Sequence, residues 1–286
     1  MAKYGLVIDI TRCDGCGSCL LAVKDEYVGN NYPGYCATQP RDGHNWLNIL
    51  EVEQGENMKV KADYIPLMYR HNRNLRLPDG VPAGAMYVRP DGLTIIDPVK
   101  AKGCKQIADS CKDGTIFWNE ELQIPQIYTL DAHRLDAGEK LPRCVESCPT
   151  QAMHWGDLDD PNSDVSQFIL AHQDEIEDYM PEAGADYAVR YYKLPKPFIT
   201  GEVTLADRQT DSPEGAKVVC ECDCGSRLET ETDFFGDFQF KYLKKDSKCS
   251  ITVYYPGYKP FTTTLVLDKA RDLGVIALEK DGIGEK

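Results

Sequence analysis

Residues 13–23 read CDGCGSCLLAV. Three cysteines, Cys13, Cys16 and Cys19, recur at every third position, and the place where a fourth would close the run holds Val23. A loop this tight wraps three corners of a metal centre but does not reach the fourth, so a thiolate has to return from a distant segment. That requirement limits the fold more than any other feature, because residue 13 and some much later cysteine must converge. Twelve cysteines are available, at positions 13, 16, 19, 36, 104, 111, 144, 148, 220, 222, 224 and 249. Such a number in a reducing compartment implies metal binding or redox chemistry.

The run keeps the spacing of a bacterial ferredoxin, C-x-x-C-x-x-C-x-x-x-C, with its last cysteine lost. In two-cluster ferredoxins the last cysteine of each run ligates the other cluster, and the runs end in C-P. The stretch RCVESCPT supplies Cys148 followed by Pro149. One [4Fe–4S] cluster therefore has a full set in Cys13, Cys16, Cys19 and Cys148. A four-cysteine zinc site is the competing reading, but zinc uses paired C-x-x-C knuckles, whereas a three-cysteine run with a distant C-P favours iron and sulfide. The symmetry-related second site keeps only Cys144. Tyr128 and Asp131 stand where an upstream pair belongs, and Val23 cannot ligate, so that site is expected to be empty and Cys144 to be a small buried hydrophobe.

Thirty-two basic residues against 46 acidic ones give a net charge of −14, which disfavours nucleic acid and anionic lipid as partners. The N-terminus, MAKYGLVIDITRC, does not read as a signal peptide, and no stretch approaches about 18 uninterrupted apolar residues. The expectation is a soluble, cytoplasmic chain without a membrane span, although a partner subunit could carry an export signal for both.

Residues 1–160 are loop-rich, as suits a domain organised around inorganic centres. Residues 161–197 read as a helix and linker: Ser163 is a plausible N-cap, helical apolar spacing runs on to Met180, and Pro195 and Pro197 break regular structure. Residues 198–286 change to short strands, with Phe238, Phe240 and Tyr242 and then Ile251, Val253 and Tyr255 alternating with polar neighbours, which predicts a β-sandwich. Its Thr232–Phe238 stretch, T-x-x-x-G-x-F, resembles transthyretin-like or carboxypeptidase-regulatory-like domains. The fold class is α+β, a ferredoxin-like iron–sulfur domain followed by that sandwich.

The stretches YGLVIDITRCDGCGSC, YPGY, GHNWLNI, GAMYVRPDGLTIIDPVKAKG, FWNEE, LPRCVESC and GAKVV through FFGDFQF occur in an order that resembles the iron–sulfur subunits of the dimethyl sulfoxide reductase superfamily of molybdenum and tungsten enzymes. The similarity is greatest to small subunits of the pyrogallol–phloroglucinol transhydroxylase type. It implies a large catalytic partner in a heterodimer, carrying molybdopterin guanine dinucleotide with molybdenum or tungsten and acting on phenolic aromatics. This chain would transfer electrons for a hydroxylase or transhydroxylase, with an external acceptor as a possible further partner. The rival reading is a structural scaffold subunit whose cluster takes no part in turnover.

Departures from the family pattern are informative. The second cysteine run has become YRHNRNLRLPDG, with Arg70 and Arg73 where thiolates would sit, and the third keeps only Cys111, with Cys104 seven residues before it. The cluster count implied is one. The basic stretch reads first as a solvated loop and second as ion pairs filling a vacated volume, while Cys36, Cys104 and Cys111 read as ordinary buried thiols. Cys220, Cys222 and Cys224 are placed on one strand face with Cys249 on a neighbour, open to metal binding or oxidative pairing. His44 reads as a hydrogen-bonded structural residue.

Overall fold

A computed structural model describes residues 2–208 and 211–282. The chain divides into two compact units, one of residues up to 51 with 63–194, the other of 52–62 with 195 onward.

The first unit is built on a four-stranded sheet in the order Met153–Asp157, Tyr4–Asp9, Val189–Tyr192, Ile176–Glu177. The central strand, YGLVID, is apolar on both faces because both are covered: Leu6, Val7 and Ile8 are all buried. It pairs antiparallel with Met153–Asp157 and parallel with Val189–Tyr192. This pairing matters for chemistry. Register places Ile8 opposite Met153, so the loop leaving the strand at Asp9 and the segment entering its neighbour from Cys148 leave the same end of the sheet.

The segment after Pro161 is shorter in helix than its periodicity predicts. The helix is Asp164–His172, capped by Ser163, whose Oγ accepts from Ser166 N–H at 3.2 Å. A single 3-10 turn, Gln173–Glu175, follows. Ile176 then enters a strand paired with Val189–Tyr192, where it is buried with Val7 and Val165. A sheet partner distant in sequence outweighs the helical pattern between residues 173 and 180.

In the second unit a three-stranded sheet (Asp237–Phe240, Ile199–Leu205, Arg271–Leu278) and a four-stranded sheet (Arg227–Glu231, Lys217–Cys222, Lys248–Tyr254, Phe261–Val266) enclose one apolar core. Strand periodicity explains it, since Phe238, Phe240, Ile251 and Val253 are buried while Gln239 is exposed. Tyr242 does not continue the alternation. Its φ is +57°, the strand has ended at Phe240, and Leu243 takes the core position instead.

Of the late cysteines, Cys224 departs from the expected strand face, and Cys222 with Cys249 follows the oxidative pairing, one of the two open readings. Cys220 and Cys222 do share a buried face, but the strand stops at Cys222 and Cys224 lies exposed in the following turn. Cys222 is bonded to Cys249, its register partner on the neighbouring strand, and the Cys220 thiol lies 3.7 Å from Cys222 Sγ.

Candidate metal centre

The N-terminal loop is launched by Asp9, whose buried carboxylate accepts from Thr11 N–H at 2.8 Å and from its hydroxyl at 2.6 Å. Gly15 and Gly17 take φ of +73° and +75°, which turn the chain twice within five residues and start the helix Ser18–Tyr27 at Gly17. On the other side the short helix Arg143–Glu146 delivers Cys148, whose N–H donates to Val145 carbonyl at 3.2 Å. The two segments are tied together by Asp9 N–H donating to Ala152 carbonyl at 2.7 Å. Cys13, Cys16, Cys19 and Cys148 consequently line one cavity with about 300 Å³ of open space, part of it continuous with solvent, and Ile49, Pro66 and Pro149 are among its walls.

This donor set fits an iron–sulfur cluster. Four thiols face one another in a largely apolar wall, and backbone N–H groups point at their sulfurs: Ala152 at Cys148 (3.3 Å), Gly15 at Cys13 and Leu20 at Cys19. Such bonds stabilise anionic sulfur. Burial, with the neighbouring thiols, pushes Cys13 up and Cys19 up to about 12, so as free thiols both stay protonated at neutral pH and metal binding must displace their protons. A lone zinc ion, at about 2.3 Å from each sulfur, needs its ligands nearly in contact. Among the described residues only Cys220, Cys222 and Cys249 bring three such atoms within 4.8 Å of one another; the Cys13 set is more widely spaced.

Gly15 is required by contact as well as by φ. A Cβ there would lie 2.6 Å from the Tyr64 ring. Gly15→Ala is therefore expected to displace the loop, costing about 1–3 kcal/mol and lowering the iron bound per chain; full iron content in this variant would show that the turn is not needed.

A family described as a 4Fe-4S dicluster domain matches residues 60–158. The chain is 33% identical to the pyrogallol hydroxytransferase small subunit of Pelobacter acidigallici, over 97% of this chain and 100% of the relative. It is 32% identical to a tetrathionate reductase subunit of Salmonella typhimurium, over 69% and 75% respectively. With the arsenate respiratory reductase iron-sulfur subunit of a Shewanella species the identity is 30%, over 67% of this chain and 96% of the relative. The chain belongs to the iron–sulfur subunits of the dimethyl sulfoxide reductase superfamily of molybdenum enzymes. As a member, it is an electron-transfer subunit that serves a catalytic partner. Among the described residues no helix is long and apolar enough to cross a membrane.

Within the matched dicluster segment this iron–sulfur subunit has only four cysteines, Cys104, Cys111, Cys144 and Cys148. Val23 is buried, and Cys144 is fully buried against Tyr128 and Asp131. Asp131 Oδ1 accepts from Tyr27 hydroxyl at 2.6 Å, while Oδ2 accepts from Tyr128 hydroxyl at 2.7 Å and Arg143 N–H at 2.6 Å. Spacing gives no sign of this network, since Tyr27 and Asp131 lie 104 residues apart.

Burial raises the Asp131 carboxyl above its ordinary 3.8, against the opposing pull of those hydrogen bonds. A carboxyl raised on folding contributes stability that is fully present below its unfolded value and lost as pH rises through the higher folded value. In Asp131→Asn the amide N–H₂ faces the Arg143 N–H or a tyrosine donor, a mismatch costing about 1–3 kcal/mol. Chemical denaturation at several pH values is expected to show the wild-type advantage over this variant growing as pH falls towards 3.8. An advantage independent of pH would remove Asp131 from that role.

The family subunit's altered second run is not a solvated loop. Arg70 and Arg73 are turned inward: Arg70 Nη2 lies 2.9 Å from Asp113 Oδ2, its guanidinium covers the Tyr187 ring at 3.8 Å, and Arg73 Nη1 lies 2.8 Å from Asp186. Arg73 Nη2 also donates to Tyr4 carbonyl at 2.7 Å. The ion-pair reading holds because the partners come from the remnant of the third run and from residues just before the sheet strand at Val189. Burial alone would raise Asp113, but donors from Cys111 and Thr115 and the Arg70 charge outweigh it and hold the carboxyl below its usual range.

Cys36 and Cys104 are buried, and the partly buried Cys111 donates to Asp113 Oδ1 at 2.9 Å. His44 departs from expectation. Its ring stacks on Phe117 at 5.1 Å and 3°, and neither ring nitrogen has a hydrogen-bond partner among the described residues.

Proposed function

We propose that Cys13, Cys16, Cys19 and Cys148 hold a single [4Fe–4S] cluster, and that the chain passes electrons for a large subunit carrying molybdopterin guanine dinucleotide and acting on phenolic aromatics. The observation that carries this reading is the convergence of those four cysteines, and no others, on one cavity. The cluster's contribution when bound is one-electron transfer, with its potential set by hydrogen bonds to sulfur and by exposure. What this chain supplies is the thiol set, the N–H donors at Gly15, Leu20 and Ala152, and a partly open rim at Cys16, which is the exposed member. Cys144 and the Asp131 network supply packing in place of a second cluster.

The phenolic substrate class is supported by similarity along the whole chain to a subunit named for pyrogallol hydroxytransferase. On this reading residues 1–160 are the redox domain and 198–286 a transthyretin-like sandwich that carries none of the chemistry. The heterodimer with Cys16→Ser tests the assignment. Loss of turnover of a phenolic substrate, with the two subunits still co-purifying, is the expected result. Undiminished turnover without iron would make the chain a scaffold. Turnover that requires an added electron acceptor would identify a hydroxylase, which must export two electrons, whereas acceptor-independent turnover with a phenolic co-substrate would identify a transhydroxylase.

A further inference from the structure

Two of the four cysteines on the cavity are followed, two residues on, by a hydroxyl. Cys16 Sγ lies 3.5 Å from Ser18 Oγ, and Cys148 Sγ lies 3.6 Å from Thr150 Oγ1. Neither hydroxyl has another hydrogen-bond partner among the described residues. Both residues are half-buried, so water competes for them less than at an open surface. Ser18 opens its helix, and no helical carbonyl stands one turn back to draw its hydroxyl away.

The direction of these contacts depends on the sulfur. A free thiol is a weak donor to the hydroxyl, but a ligating cysteine has given up its proton, and the hydroxyl is then the partner that donates. The donors around the set differ in kind. Cys13 and Cys19 have the N–H groups of Gly15 and Leu20, and Cys148 has that of Ala152. At Cys16, the exposed member, the donor is the Ser18 hydroxyl, while the residue's own N–H is taken by Asp14 Oδ1 at 3.2 Å. Asp14 also lines the cavity, in a chain of net charge −14. That charge opposes the arrival of an electron, and hydroxyl donors at sulfur oppose it in turn.

We propose that Ser18 and Thr150 are positioning residues that act through the ligand sulfurs: their hydroxyls donate to Cys16 and Cys148 and raise the potential at which the cluster accepts an electron. An added electron makes the ligand sulfurs more negative, so a donor stabilises the reduced state more than the oxidised one. The inference rests on the assignment of the four cysteines to one cluster made above.

A redox titration of the co-purified heterodimer, followed by electron paramagnetic resonance, tests it. Ser18→Ala and Thr150→Val are expected to keep about four irons in this subunit and to titrate at lower potential than wild type. In the double variant the ratio of reduced to oxidised cluster at a fixed potential should fall about tenfold, which is about 59 mV for a one-electron couple. Ser18→Thr and Thr150→Ser keep a hydroxyl and should titrate close to wild type. Wild-type potentials in Ser18→Ala and Thr150→Val, with iron retained, would overturn the proposal and leave the cluster assignment standing. An equal shift in Ser18→Ala and Ser18→Thr would also overturn it, tracing the effect to packing. Absence of a cubane signal from the unsubstituted subunit would remove the assignment and the proposal together.

Discussion

In Cys148→Ser, iron is expected to fall from about four atoms per chain to below one. Cys148 is the only member of the set outside the N-terminal loop, and it closes the cavity because Ala152 holds both its sulfur and the Asp9 backbone. Serine offers a hard, weakly acidic oxygen in place of a soft thiolate, and three thiolates in one loop leave a corner of the cluster open. Cys144→Ser, four residues away, is the informative comparison. Its side chain is fully buried towards Tyr128 and Asp131, so the change is expected to cost about 1–3 kcal/mol of stability and leave iron unchanged. Iron analysis of the two variants side by side checks both statements. Equal loss in both would mean that Cys144, not only Cys148, faces metal.

A comparably large effect is expected in stability when Arg70 is replaced by methionine. The Arg70 and Asp113 side chains are only 7% and 5% exposed, and removing one partner of a buried pair leaves the other charge uncompensated, at about 3–5 kcal/mol. Urea denaturation should show this as a lower midpoint with little change in slope. Arg70→Met combined with Asp113→Asn is expected to recover a substantial part of the loss, since the stranded carboxylate is gone while an oxygen remains for Thr115 and Cys111. Strictly additive losses would mean that the two side chains are not coupled. The pair also shows why a run of basic residues is not always a docking surface: here Arg70 and Arg73 turn inward onto Asp113 and Asp186.

Different parts of this molecule are legible in the sequence to different degrees, for physical reasons. The convergence of Cys13, Cys16, Cys19 and Cys148 follows from ligand spacing, because a three-cysteine loop needs a distant fourth and C-P marks where it comes from. Sandwich strands follow from period-2 burial. What occupies the vacated positions does not follow. Asp131 accepts from Tyr27 and Arg70 pairs with Asp113 through contacts 104 and 43 residues apart, and neither pairing leaves a local pattern. The helical rhythm after Ser163 overruns the helix itself, because residues 173–180 keep an apolar spacing that a strand partner reuses. Cys222 and Cys249 become a pair only through cross-strand register.

The central claim is one cluster in a chain that retains the scaffold of more. Iron and acid-labile sulfide per chain, with electron paramagnetic resonance after dithionite reduction of the co-purified heterodimer, test it most directly. About four irons and four sulfides are expected in this subunit, with a single cubane signal that disappears in Cys148→Ser. Zinc in their place, no metal, or about eight irons with two interacting signals would contradict it.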